Sequence, residues 1–136
     1  MARIVLTDAK ITINGVNLSD HITSIGLSTS DDVVDTSAFG GGGARTRVAG
    51  LADNSVTLEF NQDFASASVE ATIYPLIGTL TTVVVSPTSA AAGASNPTYT
   101  FSALVSEWQP LSGAVGELAT ASVTWPISGV ITKATA

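Results

Sequence analysis

The sequence predicts a mainly β subunit, sandwich or barrel-like, with one short flanking α-helix and one long flexible loop. Three observations carry that expectation. Apolar residues recur at every second position in run after run, which is the alternation of half-buried strands. A helical stripe occurs once. Residues 38–54, AFGGGGARTRVAGLADN, hold few apolar anchors.

The strands follow in order. Ile11 and Ile13 alternate with polar neighbours and lead into Asn14-Gly15, a strong two-residue hairpin turn, with Val16 and Leu18 on the return. Thr23, Ile25, Leu27 and Thr29 share one face, and Asp31 and Asp32 interrupt before Val33-Val34-Asp35-Thr36. Residues 54–63 give the cleanest strand, with Val56, Leu58 and Phe60 on one side. Residues 80–86 are β-branched on both faces, which predicts a central strand covered on both sides. Tyr99, Phe101, Ala103 and Val105 form one further set, and Ala119, Ala121, Val123, Trp125 and Ile127 the next. Residues 130–133 end the sheet.

The helix is expected over residues 64–77. Val69, Ile73, Leu76 and Ile77 fall at i, i+4, i+7 and i+8, one helical stripe. Asp63 or Ser66 is the expected cap, and Pro75 should end or kink the helix near Tyr74. So short a helix must lie on the sheet to persist.

With 136 residues the chain is expected to form one domain, residues 1–136. Hydrophobic residues make up 45% and charged ones 12%, about half the usual charged share of roughly 25%. Mean hydropathy is +0.40. So little ionic surface leaves a lone monomer poorly solvated, and partners are expected to cover it. No apolar run approaches the roughly 18 residues of a membrane span, and the N-terminus lacks the form of a signal peptide. Synthesis in the cytoplasm and no membrane partner are the expectation. Without cysteine there is neither a disulfide framework nor a thiolate metal site. The cations Arg3, Lys10, Arg45, Arg47 and Lys133 are scattered in a chain of net charge −6, whereas nucleic-acid binding needs them clustered against phosphates.

No residue set points to catalysis. The run Gly40, Gly41, Gly42, Gly43 lacks the Gly-Lys-Ser/Thr of a phosphate loop, and reads as a pliable hairpin tip. Ordering residues 38–54 would cost on the order of 20 kcal/mol of backbone entropy, so something should clasp the segment; unstructured stretches of this length are usually functional or disordered. His21 has only Asp20 as a sequence neighbour and is expected in a turn, its ring solvated. Asp31, Asp32 and Asp35 lack calcium-loop spacing. Glu107 and Glu117 show no spacing that demands a sugar cleft. No catalytic residue, metal or cofactor is expected. Trp125 continues the core face of Val123 and Ile127, whereas Trp108 has the parity of Ser102, Leu104 and Ser106. A bulge would return Trp108 to the core; otherwise it is an interface anchor. Arg45 and Arg47 are expected to reach carboxylates on a neighbouring subunit, where guanidinium forms paired bonds.

Taken in order, the blocks ITINGVNLSDHI, GLADNSVTLEFNQDF, VEATIYPLIGT, VVVSPTSAAAGASNPTYTF and PLSGAVGELATASVTWPISG resemble the small tail tube proteins of long-tailed, non-contractile bacteriophages, especially those infecting actinobacteria. The resemblance covers nearly the whole chain and rests on the series rather than any one residue. It implies a β-sandwich subunit with one flanking helix, closing six to a ring around an inner β-barrel, in the virion tail. It further implies stacked rings and partners among the other tail proteins: tape measure, terminator, and baseplate or tip. Residues 38–54 match the position of the loop that contacts the next ring. Phe39, Gly40, Gly41, Gly42, Gly43, Arg45, Arg47 and Trp108 are accordingly the expected interface residues. An acidic conduit would let DNA pass without adhering. Two rivals stand beside this reading: a capsid-decorating or minor tail protein, and a carbohydrate-binding β-sandwich using Trp108.

Overall fold

The computed structural model describes residues 5–66 and 68–135; Arg3 lies outside them. Seven strands form one antiparallel sheet: β1 (Lys10–Ile13), β2 (Val16–Asn17), β3 (Ile22–Asp35), β4 (Arg47–Asn61), β5 (Leu80–Ser86), β6 (Thr98–Leu104) and β7 (Thr120–Ala134). One helix, α1 (Val69–Ile73), stands between β4 and β5. The strand order is β2-β1-β5-β6-β7-β4-β3.

That order dictates a barrel-like shape. β2 and β3 lie at opposite ends of the list, so a flat sheet would separate them by roughly 29 Å, six spacings of about 4.8 Å. Yet Asn17 and Ile22 are five Cα steps apart, a reach of at most about 18 Å. The sheet must therefore curl until its edges approach. The link is held from both sides. Ile11 N donates to Ser19 Oγ at 3.0 Å, and His21 Nε2 lies 2.9 Å from Asp63 Oδ2. Among the described residues β3 pairs only with β4, so the curl does not close.

The concave face holds the core. Ile11, Ile13, Val56, Leu58, Phe60, Val83, Phe101, Ala103, Val123 and Trp125 are buried on the predicted strand faces, and Ile25 and Leu27 pack against them. β5 departs from expectation. It is central in pairing, between β1 and β6, but only the face of Thr81, Val83 and Val85 is buried throughout; the other runs from exposed Leu80 and Thr82 through half-buried Val84 to buried Ser86. β-branched residues here serve pleat packing rather than double coverage. Pro126 sits inside β7 where the β6 ladder has stopped, since that pairing ends at Ala103↔Ile127. Its missing N–H therefore costs no ladder bond there.

α1 is shorter than residues 64–77. It spans Val69–Ile73 and tightens into a 3₁₀ turn at Tyr74–Leu76 that contains Pro75. The N-cap is Ser68, with no side-chain capping bond. Neither Asp63 nor Ser66 caps it: the Asp63 carboxylate accepts from Ala65 N at 2.9 Å and organises the preceding turn instead. Val69 and Ile73 are fully buried while Ile77 is exposed, so burial of two side chains holds the helix to the sheet. No helix among the described residues is long and apolar enough to cross a membrane.

Candidate functional site

β3 and β4 run on together well past the sheet. β4 pairs with β7 only from Asn54 to Asn61, but with β3 as far as Asp35↔Arg47. Beyond Asn54 the two strands form a free ribbon, and every residue from 28 to 53 is exposed. This arm corrects the flexible loop expected over residues 38–54. Residues 47–54 belong to β4, and the turn is confined to residues 36–46. Cross-strand pairing supplies order that the local sequence does not.

The arm has a defined tip. Thr36 N donates to Thr46 O at 2.9 Å, and their hydroxyls meet at 2.9 Å. Thr46 N donates to Ser37 Oγ at 2.9 Å, and Ser37 N to Asp35 Oδ1 at 2.8 Å. Gly42 and Gly43 have φ of 67° and 83°, the left-handed region that glycine enters without strain. The glycines therefore shape a turn rather than leave it slack. Gly50 answers another need: a Cβ there would stand 3.0 Å from Val34 Cγ2 and 3.2 Å from Asp32 Cβ, so these side chains would have to give by a few tenths of an ångström.

Seven of the eight expected interface residues share this arm. Phe39 stands fully exposed at the tip, with Gly40, Gly41, Gly42 and Gly43 beside it. Arg45 Nη1 donates to Asp35 Oδ2 at 3.1 Å, so its nearest carboxylate belongs to its own subunit. Arg47 lies opposite Asp35 and forms no ion pair among the described residues. Trp108 is elsewhere. Its ring meets Phe60 edge-on, centroids 5.6 Å apart, and Nε1 donates to Glu70 Oε2 at 2.7 Å. Half-buried against the subunit's own core, the indole has partners already.

Sequence reasoning missed the arm's apolar side chains Val33, Val34, Val48 and Leu51, all exposed. The Val33-Val34 pair was the available signal; its partner strand was hidden because Ala49, Gly50 and Ala52 blur the alternation. At the arm's root Leu27, Thr29, Ala52, Asn54, Tyr99 and Val130 line an open cleft of about 580 Å³. Asn54 is buried there, bonded to Thr29 Oγ1 and Gly129 O.

His21 is not solvated as expected. Its Nε2 faces Asp63 Oδ2 at 2.9 Å and Ser68 Oγ at 3.5 Å, while Nδ1 is buried without a partner. A hydrolytic relay needs the carboxylate on one ring nitrogen and the hydroxyl on the other. Here both sit on the same nitrogen, so the group is a latch between the β2–β3 link and the turn before α1. The Ala65 N–H, then the Ser68 hydroxyl and His21, hold the Asp63 carboxyl below the usual carboxylate range against the opposing effect of burial. A lowered folded-state value stabilises above the unfolded value of about 3.9 and is lost as pH falls through the folded one. Asp63→Asn should therefore flatten the acid limb of stability below about pH 4 and leave neutral stability lower, measured by denaturant melts across that range. Among the described residues no three His, Asp or Glu side chains gather as metal ligands.

No protein-family model matches the sequence, and no curated protein does. Solved structures do share its shape. A chain in the virion of a native gene transfer agent particle superposes with a TM-score of 0.77, covering 97% of this chain and 99% of that one at 11% identity. A chain in the tail of an empty gene transfer agent particle, refined with C6 symmetry, gives 0.60 over 82% and 81% at 15% identity. A chain of the six-fold symmetrised baseplate of the anti-feeding prophage gives 0.61 over 98% and 97% at 12% identity. At such identities the property held in common is the fold: over most of its length this chain has the fold of chains found in tail and baseplate assemblies.

Proposed function

We propose that this chain is a non-enzymatic structural subunit of a phage-tail-type assembly, a tube protein whose copies close six to a ring and stack into a conduit for DNA. The arm carries the reading: residues 28–53 contribute no buried side chain to the subunit that owns them. A two-stranded ribbon is marginal alone in water, and this one displays Val33, Val48, Leu51 and Phe39 to solvent. Those side chains gain by burial against another molecule, about 1.5–3 kcal/mol for each large one. Among the described residues β3 is paired along one edge only, and an open strand edge is a hazard that ring closure removes. Shared fold with chains of C6 tail and six-fold baseplate assemblies supports the same conclusion. Repeated heterologous contacts both close rings and extend them axially.

Rings are expected to meet the other tail proteins (tape measure, terminator, and baseplate or tip), with assembly in the host cytoplasm and residence in the virion. DNA passes an acidic subunit of net charge −6 without adhering. The carbohydrate-binding rival loses its platform, because the Trp108 indole is engaged by Phe60 and Glu70. Concentrated purified protein viewed in negative stain should show hollow filaments with six-fold end views. Protein that remains monomeric in sedimentation at every attainable concentration, and forms no tube in infected cells, removes the proposal. Labelled subunits imaged on the head rather than the tail would favour capsid decoration instead.

A further inference from the structure

The end of the subunit remote from the arm has a different character. β4 and β7 deliver their opposite ends there, at Asn61↔Thr120. The connection over residues 109–119 packs beside them, with Gln62 N donating to Ala119 O at 3.0 Å and Gln62 Nε2 to Pro110 O at 2.7 Å. Phe64, Leu111, Val115 and Leu118 are all exposed at this end. Leu111, Ser112, Gly113, Ala114 and Glu117 line an open pocket of about 340 Å³; a cavity of roughly 150 Å³ suffices for a benzene ring.

Charge divides the same way. Between Arg47 and Lys133 the sequence has no lysine or arginine. The remote end carries Asp20, Asp63, Glu70 and Glu117, with Glu117 and Asp20 exposed. The distal arm, residues 33–48, carries Arg45 and Arg47 against the single carboxylate of Asp35, net +1; Asp31, Asp32 and Asp53 lie at its root. Lys133 lines the cleft at that root.

We propose that the pocket of residues 111–117 is the acceptor for the arm tip of a second copy, with Phe39 seated beside Leu111 and the tip arginines facing Glu117. This rests on the tube reading and deepens it by naming the surface that an arm engages. Both surfaces are apolar at the centre, and the outermost tip, with Arg47 free of any ion pair among the described residues, is opposite in charge to Glu117, as complementary interfaces are. The two surfaces lie at opposite ends of β4, whose 15 residues span roughly 45 Å. One chain cannot join them to itself. The contact is therefore heterologous and propagates.

The chain has no cysteine, so crosslinking gives a direct test. Ala38 and Ala114 are exposed at tip and pocket, and a disulfide needs Cα atoms within about 7 Å. The Ala38→Cys/Ala114→Cys chain, allowed to polymerise and then oxidised, should give a ladder of covalent multimers on a reducing-agent-free gel. Each single variant should stop at dimer. Glu117 Oε2 also accepts from Ala114 N at 3.1 Å, so Glu117→Gln, which keeps an acceptor there, controls for the pocket's shape. Glu117→Arg should lower the sedimentable fraction about tenfold or more and Glu117→Gln by less, both with folded monomers in thermal melts. Wild-type filaments accompanied by no ladder, or by full polymerisation of Glu117→Arg, overturn this acceptor surface and leave the tube reading standing. Absence of any filament from wild-type protein removes both.

Discussion

Replacing residues 36–46 with a two-residue Asn-Gly turn should yield a subunit that melts within about 2 °C of wild type and builds no tubes. The separation of those outcomes follows from burial. The excised tip has no buried residue, and Asp35↔Arg47 would become the closing pair of a hairpin that Asn-Gly suits. Shortening the connection lowers its closure cost by about 1 kcal/mol, which offsets the lost tip hydrogen bonds. Assembly has no such compensation. Each Phe39 removed forfeits about 1.5–3 kcal/mol of burial at its contact. If copies close into the proposed ring, every arm loses its contact at once and the losses multiply. Sedimentation and negative-stain microscopy measure the polymer; a thermal melt measures the monomer. Normal tubes from the shortened chain would remove the arm from assembly.

Trp125→Ala should have the largest effect on the subunit itself. Trp125 is fully buried, it pairs with Val56 across the β4–β7 ladder, and its Nε1 donates to Glu107 O at 2.9 Å. Truncation leaves a cavity and an unpaired carbonyl, a loss of about 3–5 kcal/mol. Against a total of roughly 5–15 kcal/mol for such a domain, that lowers the melting temperature by about 10 °C or more. Trp125→Phe keeps most of the volume but not the hydrogen bond, so it should fall between the two. Thermal unfolding by circular dichroism decides it, and a Trp125→Ala chain melting within about 2 °C of wild type would contradict the packing described.

The Trp125 and Trp108 pair also shows how far sequence reasoning reaches. Trp125 continues an unbroken alternation from Ala121 to Ile127, all four alternate positions buried, so its place follows from the strand period alone. Trp108 lies beyond the end of β6 at Leu104, where no period applies. Its inward turn depends on Phe60 and Glu70, which reach it only through the fold. Likewise, His21 and Asp63 are 42 positions apart, and no local pattern announces their contact.

The proposed assembly surface divides in the same manner. Phe39, Gly40–Gly43 and the two arginines stood out because glycine and isolated charge are unusual in a chain so apolar. That residues 47–53 continue a strand did not stand out, because Ala49, Gly50 and Ala52 bring no alternating apolar face; their partner, residues 29–35, imposes it.

Local chemistry by itself determined the β class, the buried faces of β4, β6 and β7, the Asn14-Gly15 turn and the burial of Val69 and Ile73 on one helical turn, since side-chain period and turn preference act between near neighbours. Only the tertiary structure decided the curl of the sheet, the reach of the arm and the opposed characters of the two ends. Those depend on which strands pair, and pairing joins residues whose separation along the chain leaves no trace in any short window of sequence.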